Sequence, residues 1–268
     1  MSINVCLAGV TGWTGAEVAR GITESADLKL VGACSRKGAG RDVGNLLGQT
    51  PIGLKVVSTV EEALQSEARV DVFIDYTAAS SVKRHVLTAL EHGVATVVGS
   101  SGLSAEDYAE IEKLALEKSV GVIACGNFSI TAALAKHFAL IAARHLPHWE
   151  IIEYAHATKP DVPSGTAREL AEELAGVRAN KLGRPLAELS GPLEARGAQI
   201  GGTPVHSVRL PGYVIAFETI FGLPDERLTI RHDAGASARP YVDGTLLAVR
   251  KVQAVKGLVR GLDRLLLD

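Results

Sequence analysis

The chain has 268 residues, 28 Lys and Arg against 30 Asp and Glu, and a formal net charge of −2, with its cations scattered along the sequence. That balance argues against an extended nucleic-acid surface, and no apolar run approaches the roughly 20 residues needed to cross a bilayer. The length allows one large or two modest domains with a substantial core, and no fixed-period repeat or low-complexity tract divides it.

From the N-terminus, Ile3 to Ala8 reads as a buried strand running into Gly9-Val-Thr-Gly-Trp-Thr-Gly15 and then a helical pattern from Ala16 to Ile22. Strand, glycine turn and helix in this order make a dinucleotide-binding unit, with Gly9, Thr11, Gly12, Trp13, Thr14 and Gly15 as candidate cofactor-binding residues and Gly12 and Gly15 at the pyrophosphate. The glycine pattern is a variant: Gly12 and Gly15 fill the last two positions of G-x-G-x-x-G, Val10 stands at the first, and the remaining glycine is Gly9. A second apolar strand, Leu28 to Cys34, ends at Ser35-Arg36-Lys37. A site for NAD usually carries Asp or Glu there, whereas a hydroxyl and two cations suit a ribose 2′-phosphate, so NADPH is the expected cofactor, with NADH a second possibility. The alternative is an ordinary solvated turn.

Val70–Asp75, Ala95–Gly99 and Val120–Cys125 are short, β-branched runs followed by turn residues, each expected to end at the carboxyl edge of a parallel sheet. The loops after them, with Tyr76 and Thr77, with Gly99, Ser100, Ser101 and Gly102, and with Asn127 and Phe128, fall where the nicotinamide half of the cofactor lies in such folds. Helices are expected over Ser80–His92, Ala105–Lys118 and Ile130–Leu146.

The most informative stretch is Glu153-Tyr-Ala-His-Ala-Thr-Lys-Pro-Asp-Val-Pro-Ser-Gly-Thr-Ala167. Trp149 to Ala155 reads as a strand and His156 to Pro163 as a loop; Thr166 with Glu169 three positions on has the form of a capping box opening a helix. Unpaired amides and the helix dipole at that start favour an anion, so Ser164, Gly165 and Thr166 are candidate binders of a substrate carboxylate. Lys159 brings a compact cation to the same loop, and His156 an imidazole able to carry a proton. The plainer alternative is a turn into a capped helix with both side chains solvated.

Beyond this helix, Gly183–Gly191 is polar and turn-rich, and Ala198–Ile200, His206–Leu210, Val214–Phe221 and Arg227–His232 alternate as strands of an open, mixed sheet. The tail from Tyr241 to Leu267 returns to helical spacing, with an apolar stripe at Leu246, Val249, Val252, Val255, Leu258, Val259, Leu262 and Leu265. The expected fold class is therefore α/β, a Rossmann-type doubly wound parallel sheet from 1–127 with 241–268, joined to an α+β domain with a mixed open sheet from 128–240. Cys6, Cys34 and Cys125 sit in apolar strands, as buried thiols of a reducing compartment do, and a cytoplasmic location is expected. His145, His148 and Glu150 have metal-like spacing but no third convincing ligand, and no metal is expected.

The run Glu153, His156, Lys159, Asp161, Pro163 to Ala167 resembles the signature of the dihydrodipicolinate reductase family, approximately E-x-H-H-x-x-K-x-D-x-P-S-G-T-A. Asp75-Tyr-Thr77, Gly99-Ser-Ser-Gly102 and Asn127-Phe-Ser129 are similar to that family's D-F-T, G-T-T-G and N-F-S, so the resemblance spans nearly the whole chain. It implies NAD(P)H-dependent reduction of 4-hydroxy-tetrahydrodipicolinate in lysine and diaminopimelate biosynthesis, a small dicarboxylate substrate, and a homotetramer built by the second domain. His156 and Lys159 are then the catalytic candidates. In the family the first histidine of the pair is usually given the proton-donor role, and here it is Ala155. Three explanations stay open: His156 or Lys159 donates the proton, a subgroup of true reductases lacks the first imidazole, or the substrate is a different small imine. The later strands also depart, because Gly212 to Glu218 lacks the family's usual G-E-x-x-E-x-x-H spacing. A non-catalytic NADP(H) sensor on the same fold is the more distant alternative.

Overall fold

The structure is a computed structural model, and it describes residues 2–266; Met1, Leu267 and Asp268 lie outside it. In chain order the elements are β1 (Ile3–Ala8), α1 (Trp13–Glu24), β2 (Leu28–Cys34), α2 (Val43–Leu46), α3 (Val60–Leu64), β3 (Val72–Asp75), α4 (Ala79–Glu91), β4 (Ala95–Val98), α5 (Ala105–Lys118), β5 (Gly121–Ala124) and α6 (Ile130–His145). Then follow β6 (His148–Ala155), α7 (Gly165–Val177), β7 (Ala198–Ile200), β8 (Thr203–Arg209), β9 (Ile215–Leu223), β10 (Glu226–Ala234), α8 (Pro240–Val252) and β11 (Gly257–Arg260). They form two compact units, Met1–Ile130 with Ala238–Asp268, and Thr131–Ser237.

The first unit holds a six-stranded sheet in the order β11-β5-β4-β3-β1-β2, parallel throughout. Its inner strands β3, β4 and β5 are buried at every position, which is why they read as continuous apolar runs: a parallel sheet is covered on both faces. Val82, Val86 and Leu90 of α4 and Ile111 and Ala115 of α5 cluster with Val98, Val122 and Ala124. Helices α1 and α8 pack on each other and over β1, β2, β4 and β5, so the sheet is doubly wound. Strand order reverses between β1 and β3, and the crevice at their carboxyl ends is where such folds take a ligand.

The tail corrects an expectation. Among its described residues only Pro240–Val252 is α-helix; Gly257 then turns at φ 79°, Gly257–Arg260 adds a sixth parallel strand beside β5, and Asp263–Leu265 forms a single 3-10 turn. Four residues with two adjacent apolar side chains, Leu258 and Val259, fit a helical stripe as well as a strand, so periodicity alone misassigned them. Leu267, which closed the expected helix, lies outside the described residues.

The second unit carries a mixed sheet, β10-β9-β6-β8-β7, in which only the β6 and β8 pairing is parallel. Strand β6 alternates strictly: Trp149, Ile151, Glu153 and Ala155 are buried, and the residues between are half-buried. Trp149 and Ile151 meet Leu170, Ala171 and Leu174 of α7 and a row of alanines on α6, Ala132, Ala135, Ala139 and Ala143. Small residues on α6 let it lie close to the rest of this core. Trp149 satisfies its indole N–H inside that core by donating to the Thr203 hydroxyl at 2.9 Å.

Candidate functional site

Each unit presents one half of the chemistry. In the first unit the glycine turn after β1 is set by sterics. Gly9 has φ 90°, a left-handed conformation, and a side chain there would run into the Tyr76 carbonyl. Gly15 abuts the Gly9 carbonyl so closely that a Cβ has no room. Gly12, whose amide donates to the Gly9 carbonyl at 2.8 Å, is the N-cap of α1. That helix begins with no side-chain cap and no acidic residue in its first turn, so its leading amides face the crevice available to an anion. Gly15→Ala is expected to destabilise the protein by about 1–3 kcal/mol through overpacking and to weaken NADPH binding at least tenfold, because the helix start moves off the turn; thermal unfolding and NADPH fluorescence titration read the two effects.

Two cavities flank this turn. The larger, about 340 Å³, is lined by Gly9, Thr11, Gly12, Ser35, Arg36, Lys37 and Thr77 among others. The Thr11 and Ser35 hydroxyls of its lining meet at 2.5 Å. The smaller, about 140 Å³, is lined by Trp13, Thr14, Tyr76, Gly99, Asn127 and Phe128, with Cys125, Gly126 and Tyr241. A dinucleotide straddling the glycine turn needs one compartment for each nucleoside. Ser100 lines neither cavity, and its role is indirect: its hydroxyl donates to the Asp75 carboxylate at 2.5 Å. Ser101 and Gly102 are exposed and line neither cavity.

Asp75, fully buried at the end of β3, organises the cavity edge. Its carboxylate also accepts from the Thr77 amide at 3.0 Å and the Thr77 hydroxyl at 2.8 Å, and lies 2.8 Å from His85 Nδ1. The sequence singled out Asp75-Tyr-Thr77 but not His85, which belongs to the site because α4 returns over β3. Tyr76 donates its hydroxyl to Thr245 at 2.6 Å, Thr245 donating in turn to the Tyr241 carbonyl, and the Tyr76 ring covers Gly99. Burial lifts the Tyr76 phenol above its usual pKa, against the opposing effect of the Thr245 hydrogen bond, so it remains a neutral wall. Burial, reinforced by Asp75, likewise pushes the Cys34 thiol up to about 11.

In the second unit the structure corrects the helix start. Ser164, not Thr166, is the N-cap of α7, its hydroxyl accepting from the Ala167 amide at 3.3 Å. Glu169 forms no capping box; it faces the Lys136 ammonium at 3.2 Å. The shift by two positions matters chemically: Ala167 is served by Ser164, and the amides of Gly165 and Thr166 remain for a ligand, on a turn with no acidic residue and no obstruction around Gly165.

What fixes that turn is a buried ion pair the sequence did not reveal. Glu153, 1% exposed, accepts from the Ser164 amide at 3.3 Å and from the Arg209 guanidinium at 2.5 Å. Arg209 also donates to the Asp161 carbonyl at 2.7 Å. The C-terminal end of the 156–163 loop is thereby tied to the β6 and β8 pair. On the loop, Lys159 lies 2.7 Å from the Asp161 carboxylate. Burial works to raise the Asp161 pKa, but the Lys159 hydrogen bond and charge, a backbone hydrogen bond and the Arg209 charge together outweigh it and hold the group below the usual carboxylate range. His156 is exposed, with Nδ1 accepting from the Thr158 amide at 3.3 Å and 2.8 Å from the Thr158 hydroxyl. That network assigns the proton to Nε2. Ala155, fully buried on β6, has no titratable atom to offer.

A family model described as the dihydrodipicolinate reductase N-terminus matches residues 3–128, and one for the C-terminus matches 128–266. The chain belongs to the dihydrodipicolinate reductase family. The 4-hydroxy-tetrahydrodipicolinate reductase of Moorella thermoacetica is 41% identical over 270 residues, spanning 99% of this chain and 98% of that protein. That of Desulfitobacterium hafniense is 40% identical over 264 residues, 98% of each. Among solved structures, a dipicolinate-bound dihydrodipicolinate reductase from Paenisporosarcina sp. TG-14 has a TM-score of 0.83 at 33% identity, covering 98% of this chain and 99% of that one. An amine dehydrogenase from Mycobacterium smegmatis, at TM-score 0.68 and 19% identity over 98% and 96% of the two chains, shares the fold alone. The family assignment accounts for a parallel dinucleotide-type sheet joined to a mixed one. Among the described residues no group of His, Cys, Asp and Glu is gathered as a metal ion requires, and no helix is long and apolar enough to cross a membrane.

Proposed function

We propose that the chain catalyses NAD(P)H-dependent reduction of 4-hydroxy-tetrahydrodipicolinate to tetrahydrodipicolinate in lysine and diaminopimelate biosynthesis, with NADPH the preferred cofactor. The observation that carries the substrate class is the start of α7, where the free amides of Gly165 and Thr166 adjoin the loop bearing Lys159 and His156. Two kinds of donor, a point cation and a pair of helix-start amides, suit the two carboxylates of a small ring such as the dipicolinate held by the Paenisporosarcina relative.

The first unit is the dinucleotide-binding domain in this proposal, with the amides at the start of α1 on the pyrophosphate and Ser35, Arg36 and Lys37 near the 2′-phosphate. NADPH, when bound, supplies the hydride. Lys159, Gly165 and Thr166 fix the substrate carboxylates, which limits the ring to orientations that expose one carbon to reduction. His156, carrying its proton on Nε2, gives the proton that accompanies hydride arrival and so stands in for the imidazole that Ala155 lacks. General acid catalysis is worth typically 10²–10⁴-fold, so its placement decides the turnover. Buried cysteine thiols suit the cytoplasm, and a homotetramer is the assembly the family resemblance implies.

The decisive assay adds the purified protein and NADPH to the product of dihydrodipicolinate synthase, formed in the cuvette from pyruvate and aspartate semialdehyde, with NADH in parallel. Rapid oxidation, faster with NADPH, is the expected result. Tight cofactor binding without oxidation would overturn it and point to another small imine.

A further inference from the structure

We propose that Arg84 of α4 is a specificity-determining residue for a 2′-phosphorylated nucleotide, completing a three-cation pocket with Arg36 and Lys37. The inference deepens the cofactor assignment above and rests on it. The residues lining the 340 Å³ cavity include Ser35, Arg36 and Lys37 from the turn after β2, Ser58 and Thr59, and, from α4, Arg84; no Asp or Glu is among them. A cavity that receives a plain ribose presents a carboxylate to its vicinal hydroxyls. This one presents hydroxyls and positive charge from two separate elements.

The three cations are not equivalent. Arg36 and Lys37 are exposed on a short turn, where long side chains lose much rotamer freedom when they grip a ligand. Arg84 projects from a 13-residue helix, and its guanidinium is held on one side. Its Nη2 lies 3.4 Å from His85 Nε2, and His85 Nδ1 lies 2.8 Å from the buried Asp75 carboxylate. The pairing with Asp75 keeps the ring proton on Nδ1 and leaves Nε2 as the acceptor for Arg84. Its other terminal nitrogen, Nη1, is 3.6 Å from Glu61, with the two side chains 67% and 42% exposed. Such a long, solvated ion pair is weak, so the guanidinium can turn to a phosphate and bind it through two parallel N–H groups.

The test measures binding of adenosine 2′,5′-bisphosphate and adenosine 5′-monophosphate to the full chain by calorimetry, with the NADPH to NADH ratio of kcat/KM as a second readout. The wild type should bind the bisphosphate at least tenfold more tightly, and Arg84→Ala should lose about tenfold for it while 5′-monophosphate binding changes less than twofold. Arg84→Lys, which keeps the charge without the fork, should recover part of the loss. Full discrimination retained in Arg84→Ala overturns the role of Arg84, as does an equal loss for both nucleotides, the mark of a merely structural or adenine contact. A wild type that does not discriminate overturns the 2′-phosphate assignment of the cavity itself.

Discussion

Lys159→Ala should lower kcat/KM by about 10²–10³-fold, mostly through KM, by removing a charge-assisted contact to a substrate carboxylate and disturbing the ring's orientation for transfer. NADPH binding should be unchanged, since the glycine turn and the cavity beside Ser35 lie in the other unit. Steady-state kinetics with the enzymatically generated substrate, together with NADPH titration, separates the two. Unchanged kcat and KM would show that Lys159 does no more than pair with Asp161. A fall in kcat alone would shift its role from binding toward proton supply, and the corresponding His156→Ala variant should then keep its kcat.

Glu153→Gln should destabilise the protein by about 3–5 kcal/mol, the usual cost of removing one member of a buried ion pair and leaving the other charge uncompensated. Its structural partner is Arg209, and the same change weakens the tie through which Arg209 holds the loop bearing Lys159. Denaturant unfolding gives the stability, and the double variant Glu153→Gln with Arg209→Met closes the cycle: it should be more stable than Glu153→Gln alone, because no orphaned guanidinium remains. If the two single losses simply add, the pair is not coupled and the loop is held by something else.

These two residues also show how far the sequence reached. Lys159, His156 and the Ser164-Gly165-Thr166 run were legible because a capped helix start following a strand and a loop concentrates its chemistry within a dozen residues. Glu153 was legible only as a motif position. Arg209 lies 56 residues away, and it meets Glu153 because β8 lies parallel beside β6; no local pattern announces such a pairing. In the first unit the turn at Gly9 to Gly15 and the cations after β2 were likewise visible, whereas His85 and Arg84 read as ordinary helix residues until α4 laid them over the carboxyl edge.

The sequence by itself determined the elements whose signal is local: continuous apolar runs for buried parallel strands, alternation for β6, glycines at the nucleotide turn, and polar and cationic residues at strand ends. The tertiary structure alone decided the sixth strand, β11, whose four residues carry too little period to distinguish strand from helix. It also decided the true start of α7 and the assembly of Asp75, Thr77, Ser100 and His85 into one hydrogen-bonded edge. The physical reason is the same in each case: periodicity and capping are written over a few neighbouring residues, while burial, strand pairing and charge compensation depend on partners that only the folded chain brings together.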